Sequence, residues 1–250
     1  MRQVVVYPDA ATVATATAAR LLTELTDALA HKDRVDVVLT GGTVGTATLK
    51  AVADSPLAAA VDWAAVHVWW GDERFVPAGD ADRNEGQAHE VFLSRVPLPE
   101  KNIHRMGGSD AFASPEDAAA SYARELADAG DPAFDVLMLG MGPDGHVASL
   151  FPGHPVFAAQ RDAASGTGTD SSGSGRALAV HDSPKPPPTR VTLTLEVINR
   201  ARRVWIVAAG AEKSDAVARA LHGDADLPSA AVAGTEQTLW LVDVSAAATA

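Results

Sequence analysis

The chain contains no cysteine, which excludes disulfides, thiolate zinc sites, iron–sulfur clusters and a cysteine nucleophile. That absence accords with a reducing compartment. Basic residues are also scarce: 20 Lys+Arg against 32 Asp+Glu leave a formal net charge of −12 over 250 residues. A chain this acidic offers no broad basic surface, which argues against nucleic acid or an anionic membrane as partner. No run of about 18 apolar residues occurs, as a membrane-spanning helix needs. The opening MRQVVVYPDA lacks the long apolar stretch of a secretion signal, because Pro8 and Asp9 interrupt it. These absences predict a soluble, cytoplasmic protein. What is present is 47% hydrophobic against 21% charged residues, enough apolar side chain to bury a sizeable core.

Short apolar runs alternate with longer helical patterns. Residues 2–6, 35–39, 65–70, 134–139, 203–208 and 239–244 read as strands, being rich in β-branched residues and poor in charge. Helices are expected over 9–30, from the turn at Thr40 through Lys50, and over 211–221. Apolar strands separated by helices predict an α/β fold: a mostly parallel, Rossmann-like sheet with helices on both faces, in a single domain over 1–250. The segment ASGTGTDSSGSG at 164–175 lacks the apolar residues that offset ordering entropy and reads as a flexible insertion, with a mobile lid as the alternative. The tail 245–250 is expected to fray.

In such sheets ligands bind beyond the carboxyl ends of the strands, and there the Gly-rich and charged clusters fall. Thr40-Gly41-Gly42-Thr43 joins a strand to a helix. It reads either as an anion cradle of backbone N–H groups or as a tight turn. Gly140-Met141-Gly142-Pro143-Asp144-Gly145 satisfies G-x-G-x-x-G after a strand. A dinucleotide site fails there: Asp144 would put a carboxylate against the pyrophosphate, Pro143 removes a donor, and Pro152 and Pro155 cut off the receiving helix. The same loop sets Asp144 two residues before His146, a pairing suited to general-base work unless the histidine is merely exposed. Gly71-Asp72-Glu73-Arg74 offers an arginine for phosphate oxygens or a local ion pair. Lys213 at the first turn of a helix is unfavourable unless an anion arrives. Arg190 follows Lys185-Pro186-Pro187-Pro188-Thr189, a stiff approach able to hold it in place, although a solvated loop arginine is the plainer reading. No metal-binding spacing is present, since HExxH is absent and His154 lies beyond Pro152.

Five blocks in order, LTGGT (39–43), WWGDERFVP (69–77), DVLMLGMGPDGHVASLFPGHP (135–155), PPPTRVTLTLEVIN (186–199) and GAEKSDAV (210–217), resemble the 6-phosphogluconolactonase family of the glucosamine-6-phosphate isomerase/deaminase superfamily. The resemblance implies hydrolysis of 6-phospho-D-glucono-1,5-lactone to 6-phosphogluconate in the oxidative pentose phosphate pathway. No cofactor or metal is implied, the only partner is the phosphorylated sugar lactone, and the expected state is a monomer or weak homo-oligomer. It further implies that Gly41, Gly42, Thr43, Arg74, Arg190 and Lys213 hold the phosphate. His146 would be the base that activates water, with Asp144 orienting its ring or contacting the sugar. Asn84 matches a family asparagine near the substrate, beside Arg83 where the family usually carries serine. Asp72 joins the binding set or braces Arg74, and backbone N–H groups of the 140–145 loop are the expected oxyanion donors. The segment 164–175 is longer than the family's.

Two alternatives remain. The deaminase branch needs a glutamate five residues after the histidine, and Phe151 stands there. A non-catalytic phosphosugar sensor would keep the cations but need neither His146 nor Asp144. Although the net charge opposes a phosphorylated substrate, screening over about 8 Å at physiological salt leaves the local cations dominant at contact.

Overall fold

The computed structural model describes residues 2–164 and 175–249. Six parallel strands form one sheet: β1 (Arg2–Tyr7), β2 (Val35–Leu39), β3 (Val66–Trp70), β5 (Val136–Gly140), β8 (Arg203–Ala208) and β9 (Gln237–Asp243), in the spatial order β1-β9-β8-β5-β2-β3. Strands covered on both faces should read as continuous apolar runs; β5 does, β8 does after Arg203, and β2 is interrupted only by Asp36. Alternate residues serve opposite faces. Val38, Leu137, Leu139, Val204, Ile206, Trp240 and Val242 belong to one core, while Val37, Leu39, Val136, Met138, Trp205, Val207, Leu239 and Leu241 belong to the other. This is the two-residue period of a strand written into two cores. Helices α1 (Ala10–Leu29) and α2 (Gly42–Asp54) cover the second core through Leu21, Leu22, Leu25, Leu49 and Val52. The first core is covered by α4 (Pro115–Asp128) and α7 (Ser214–Leu221), through Tyr122, Leu126, Val217 and Ala220. Each such aliphatic or aromatic side chain, fully buried, contributes about 1.5–3 kcal/mol.

The expected parallel sheet and its covering helices are therefore present. A second sheet was not expected: β4 (Asp72–Arg74), β6 (Ala177–Val180) and β7 (Arg190–Leu193) form an antiparallel three-stranded sheet in the order β4-β7-β6. β4 is Asp-Glu-Arg, a composition that reads as a charged loop, and β7 follows a proline run. Tertiary pairing overrides both local preferences. Helix α3 (Asn84–Val91) and helix α4 were also not expected; Ser114 caps α4 by accepting from Asp117 N. Helices α5 (Pro155–Ala164), α6 (Leu195–Asn199) and α8 (Pro228–Ala231) and several short 3-10 helices are also present.

The tail does not fray from Ser245. Ala246 is fully buried, its N–H bonds the Asp243 carboxylate, and Thr249 bonds Ser214 through both its N–H and its hydroxyl. A buried alanine and satisfied backbone donors offset the ordering cost that an alanine-rich end otherwise loses. The insertion or lid expected at 164–175 lies outside the described residues.

Candidate active site

A cleft of about 200 Å³ opens at the carboxyl ends of β2, β3 and β5, where the topology of an open α/β sheet puts ligands. Its cations arrive by strand pairing. β4 and β7 run antiparallel with Arg74 directly opposite Arg190, so the small sheet sets two guanidinium groups side by side at the cleft wall. Lys213, immediately before α7, and Lys185 complete the cationic lining.

Arg190 is not a solvated loop residue. It is 5% exposed, and its guanidinium donates to the carbonyls of Pro187, Lys185 and Pro186 at 3.1, 3.0 and 3.1 Å. The proline run thus folds around the arginine it precedes. Burial lowers the Arg190 and Lys213 pKa values, the direction expected where cations await an anion. Lys213 Nζ meanwhile donates to the carbonyl of Met141.

The loop after β5 brings a histidine, a carboxylate and a lysine together. His146 Nδ1 lies 2.6 Å from Asp144 Oδ1, and Lys185 Nζ lies 3.1 Å from the same oxygen and 3.0 Å from Nδ1. Burial alone would raise the Asp144 carboxyl. The hydrogen bond and charge of His146 and those of Lys185 outweigh it, holding the carboxyl well below the usual carboxylate range. An ionised Asp144 accepts the Nδ1 proton, which leaves Nε2 unprotonated and free to act as base. Among the described residues no hydrogen-bond partner occupies Nε2. On the ring's flank, Phe151 sits with its centroid 4.7 Å away.

Gly142 makes this pair possible, because a Cβ there would overlap both His146 Nδ1 and Asp144 Oδ1. Gly142→Ala is expected to displace the pair and cost at least about 10²-fold in kcat, since a misplaced base loses its geometry. Single-turnover rates for the variant check this, and a near-normal rate would contradict it.

Across the cleft, Asn84 opens α3. Its Nδ2 donates to the carbonyl of Asp72 at 3.0 Å, and its Oδ1 accepts from Arg74 Nη1. A Cβ on Gly41 would overlap Asn84 Oδ1, so the first glycine of the turn is required by close approach.

Several expectations are corrected here. Asp72 does not brace Arg74: its carboxylate accepts from Ser149 Oγ at 2.6 Å and lies 3.8 Å from Arg190 Nη1. Thr43 is exposed on the first turn of α2 and lies outside the cleft lining, where Thr40 stands instead, its Oγ1 accepting from Gly140 N. Of the 140–145 backbone N–H groups expected as oxyanion donors, the three glycine ones are already engaged: Gly140 with Thr40, Gly142 with the carbonyl of His146, and Gly145 with that of Gly142. Arg83 is buried and donates to the carbonyl of Met106, away from the cleft. The remaining site residues, Gly41, Gly42, Asp72, Arg74, Asn84, His146, Arg190 and Lys213, all line one cleft, with Asp144 bound to His146. Lys185 and Ser149 were missed. Lys185 had a legible signal, a cation beginning the proline run that leads to Arg190, but it read only as part of a stiff connector.

Glu73, between the two cleft residues of β4, is 1% exposed. Burial pushes its carboxyl up to about 7, against the lowering pull of Arg83 and of three backbone N–H groups. The folded protein therefore keeps a proton that the unfolded chain releases near 4.5, so stability falls as pH rises from about 4.5 to about 7. Glu73→Gln carries no such proton. Thermal melts across that range are expected to show the Tm gap moving in the variant's favour, and a constant gap would contradict this.

Comparison with known proteins decides the family. Residues 8–240 match the family of glucosamine-6-phosphate isomerases/6-phosphogluconolactonase. A 6-phosphogluconolactonase of Streptomyces coelicolor is 46% identical, over 98% of this chain and 93% of that protein. The chain belongs to this family. A 6-phosphogluconolactonase of Mycobacterium tuberculosis is 41% identical, over 97% of this chain and 96% of its own. The crystal structure of 6-phosphogluconolactonase from Thermotoga maritima superposes with a TM-score of 0.81 at 29% identity, covering 97% of this chain and all of that one. The glucosamine-6-phosphate isomerase/6-phosphogluconolactonase fold, a mostly parallel six-stranded sheet with helices in a single domain, is thus the fold seen here.

Proposed function

We propose that the chain hydrolyses 6-phospho-D-glucono-1,5-lactone to 6-phospho-D-gluconate, as the names of its relatives indicate for them, within the oxidative pentose phosphate pathway of the cytoplasm. The observation that carries this reading is the Asp144–His146 pair at a cleft that Arg74, Arg190 and Lys213 also line. No helix among the described residues is long and apolar enough to cross a membrane, in keeping with a water-soluble substrate.

A lactone is an activated ester, so no covalent nucleophile is needed. The phosphate is held by Arg74, Arg190, Lys213 and the Gly41–Gly42 turn, which fixes C1 near the histidine. His146 Nε2 takes a proton from water as its oxygen bonds to C1. The resulting tetrahedral oxyanion collapses, the bond from C1 to the ring oxygen breaks, and the imidazolium returns the proton to that leaving oxygen. With the loop's glycine N–H groups engaged, the developing negative charge is met by the cationic lining, where Lys185 stands beside the base.

The deaminase reading needs a proton-shuttling carboxylate where Phe151 packs on the imidazole, and a phenyl ring moves no proton. A sensor would need no oriented base. Incubation with the phosphorylated lactone and, separately, with glucosamine 6-phosphate separates these readings. Acid release from the first faster than in buffer alone, without ammonia from the second, is expected; ammonia release would overturn the reading in favour of deamination.

A further inference from the structure

We infer that Glu73, which does not line the cleft, is a positioning residue that aims the phosphate-binding side chains Arg74 and Asn84; the inference rests on the functional reading above. The chain leaves the cleft after β4 and returns to it at the start of α3. Glu73 ties the two ends together. Its Oε1 accepts from Arg74 N at 2.9 Å and from Asn84 N at 2.8 Å, and its Oε2 accepts from Glu85 N at 2.9 Å. One carboxylate thus fixes the backbone of both residues whose side chains meet in the cleft, where Arg74 Nη1 donates to Asn84 Oδ1 and to the carbonyl of Asp82.

The carboxylate is itself anchored. The Arg83 guanidinium lies 3.9 Å from Oε2 and is fixed by donating to the carbonyl of Met106 at 2.6 Å, with longer contacts of Nη1 to the carbonyls of Arg74 and Val76 at 3.3 and 3.4 Å. A buried cation thus stands behind the carboxylate. A buried group with three backbone donors on two oxygens has one orientation open to it. That rigidity passes to Arg74, whose charge-assisted contact with phosphate depends on direction.

Glu73→Gln keeps the shape but replaces one acceptor oxygen by an amide that cannot accept. The test compares wild type and Glu73→Gln on 6-phosphogluconolactone and on unphosphorylated glucono-1,5-lactone, at about pH 8 where the Glu73 carboxyl is ionised, with kcat and KM resolved. For the phosphorylated substrate kcat/KM is expected to fall on the order of 10- to 10²-fold, mainly through KM, while the unphosphorylated one changes by less than about twofold. An equal loss on both substrates would show a merely structural role and overturn the inference, as would no loss on either. Binding of inorganic phosphate, followed by ³¹P NMR, reads Glu73 without catalysis: weakening on the order of tenfold is expected, and unchanged affinity overturns it. A wild type that opens neither lactone would sink the functional reading, yet the phosphate titration still decides the role of Glu73. Should Glu73→Gln fail to fold, Glu73→Asp, whose carboxylate is drawn back by one methylene, is measured in its place with the same outcomes expected.

Discussion

His146→Ala is expected to slow enzymatic lactone opening by about 10²–10⁴-fold, the usual worth of a positioned base. The loss should fall on kcat, because on the proposed reading the ring acts at C1 while the phosphate falls to Arg74, Arg190 and Lys213, which line the cleft from other elements. Inorganic phosphate should still compete for the variant with its wild-type affinity. The fold should persist, since the imidazole is only partly buried and its partners Asp144 and Lys185 still pair with each other at 3.1 Å. A variant that loses phosphate binding along with turnover would point to collapse of the loop instead. One that keeps its rate would move the base elsewhere.

Asp144→Asn is expected to be nearly as damaging, for a reason that lies in one proton. In the wild type the carboxylate can only accept, so Nδ1 carries the hydrogen and Nε2 is free. An asparagine amide can donate to Nδ1, and Lys185 Nζ, already 3.0 Å from that nitrogen, can only donate. With two donors facing Nδ1, the proton is driven to Nε2 and the base is lost. Tautomer inversion of this kind is worth up to about 10⁴-fold in a comparable histidine–carboxylate pair. The signature is a rate loss with little change in KM, and the ring tautomer is directly visible by ¹⁵N NMR. Full activity in Asp144→Asn, or an unchanged tautomer, would show that the carboxylate serves the sugar rather than the ring.

The large sheet was legible because its strands are buried on both faces. Residues 35–39 and 203–208 are rich in β-branched and apolar side chains, with only Asp36 and the leading Arg203 charged, and both strands occur with those bounds. The small sheet was not legible, since Asp72–Arg74 owes its extended form to pairing with a strand more than a hundred residues away. The site followed the same division. His146 and Asp144 are two residues apart and announce themselves locally. Lys185 reaches His146 across 39 residues and Ser149 reaches Asp72 across 77, and no local spacing records either contact. The glycine-rich loop misled in a different way. Its N–H groups were read as spare donors, but the turn uses those of Gly142 and Gly145 for its own closure and Thr40 takes that of Gly140.

The account's central claim is that this cleft opens a phosphorylated lactone. Its most direct test is the decay of freshly generated 6-phosphogluconolactone, followed by NMR with and without the protein, because the lactone also hydrolyses in buffer. The account predicts a large acceleration by wild type that disappears in folded His146→Ala. Decay at the buffer rate in the presence of wild type would contradict it.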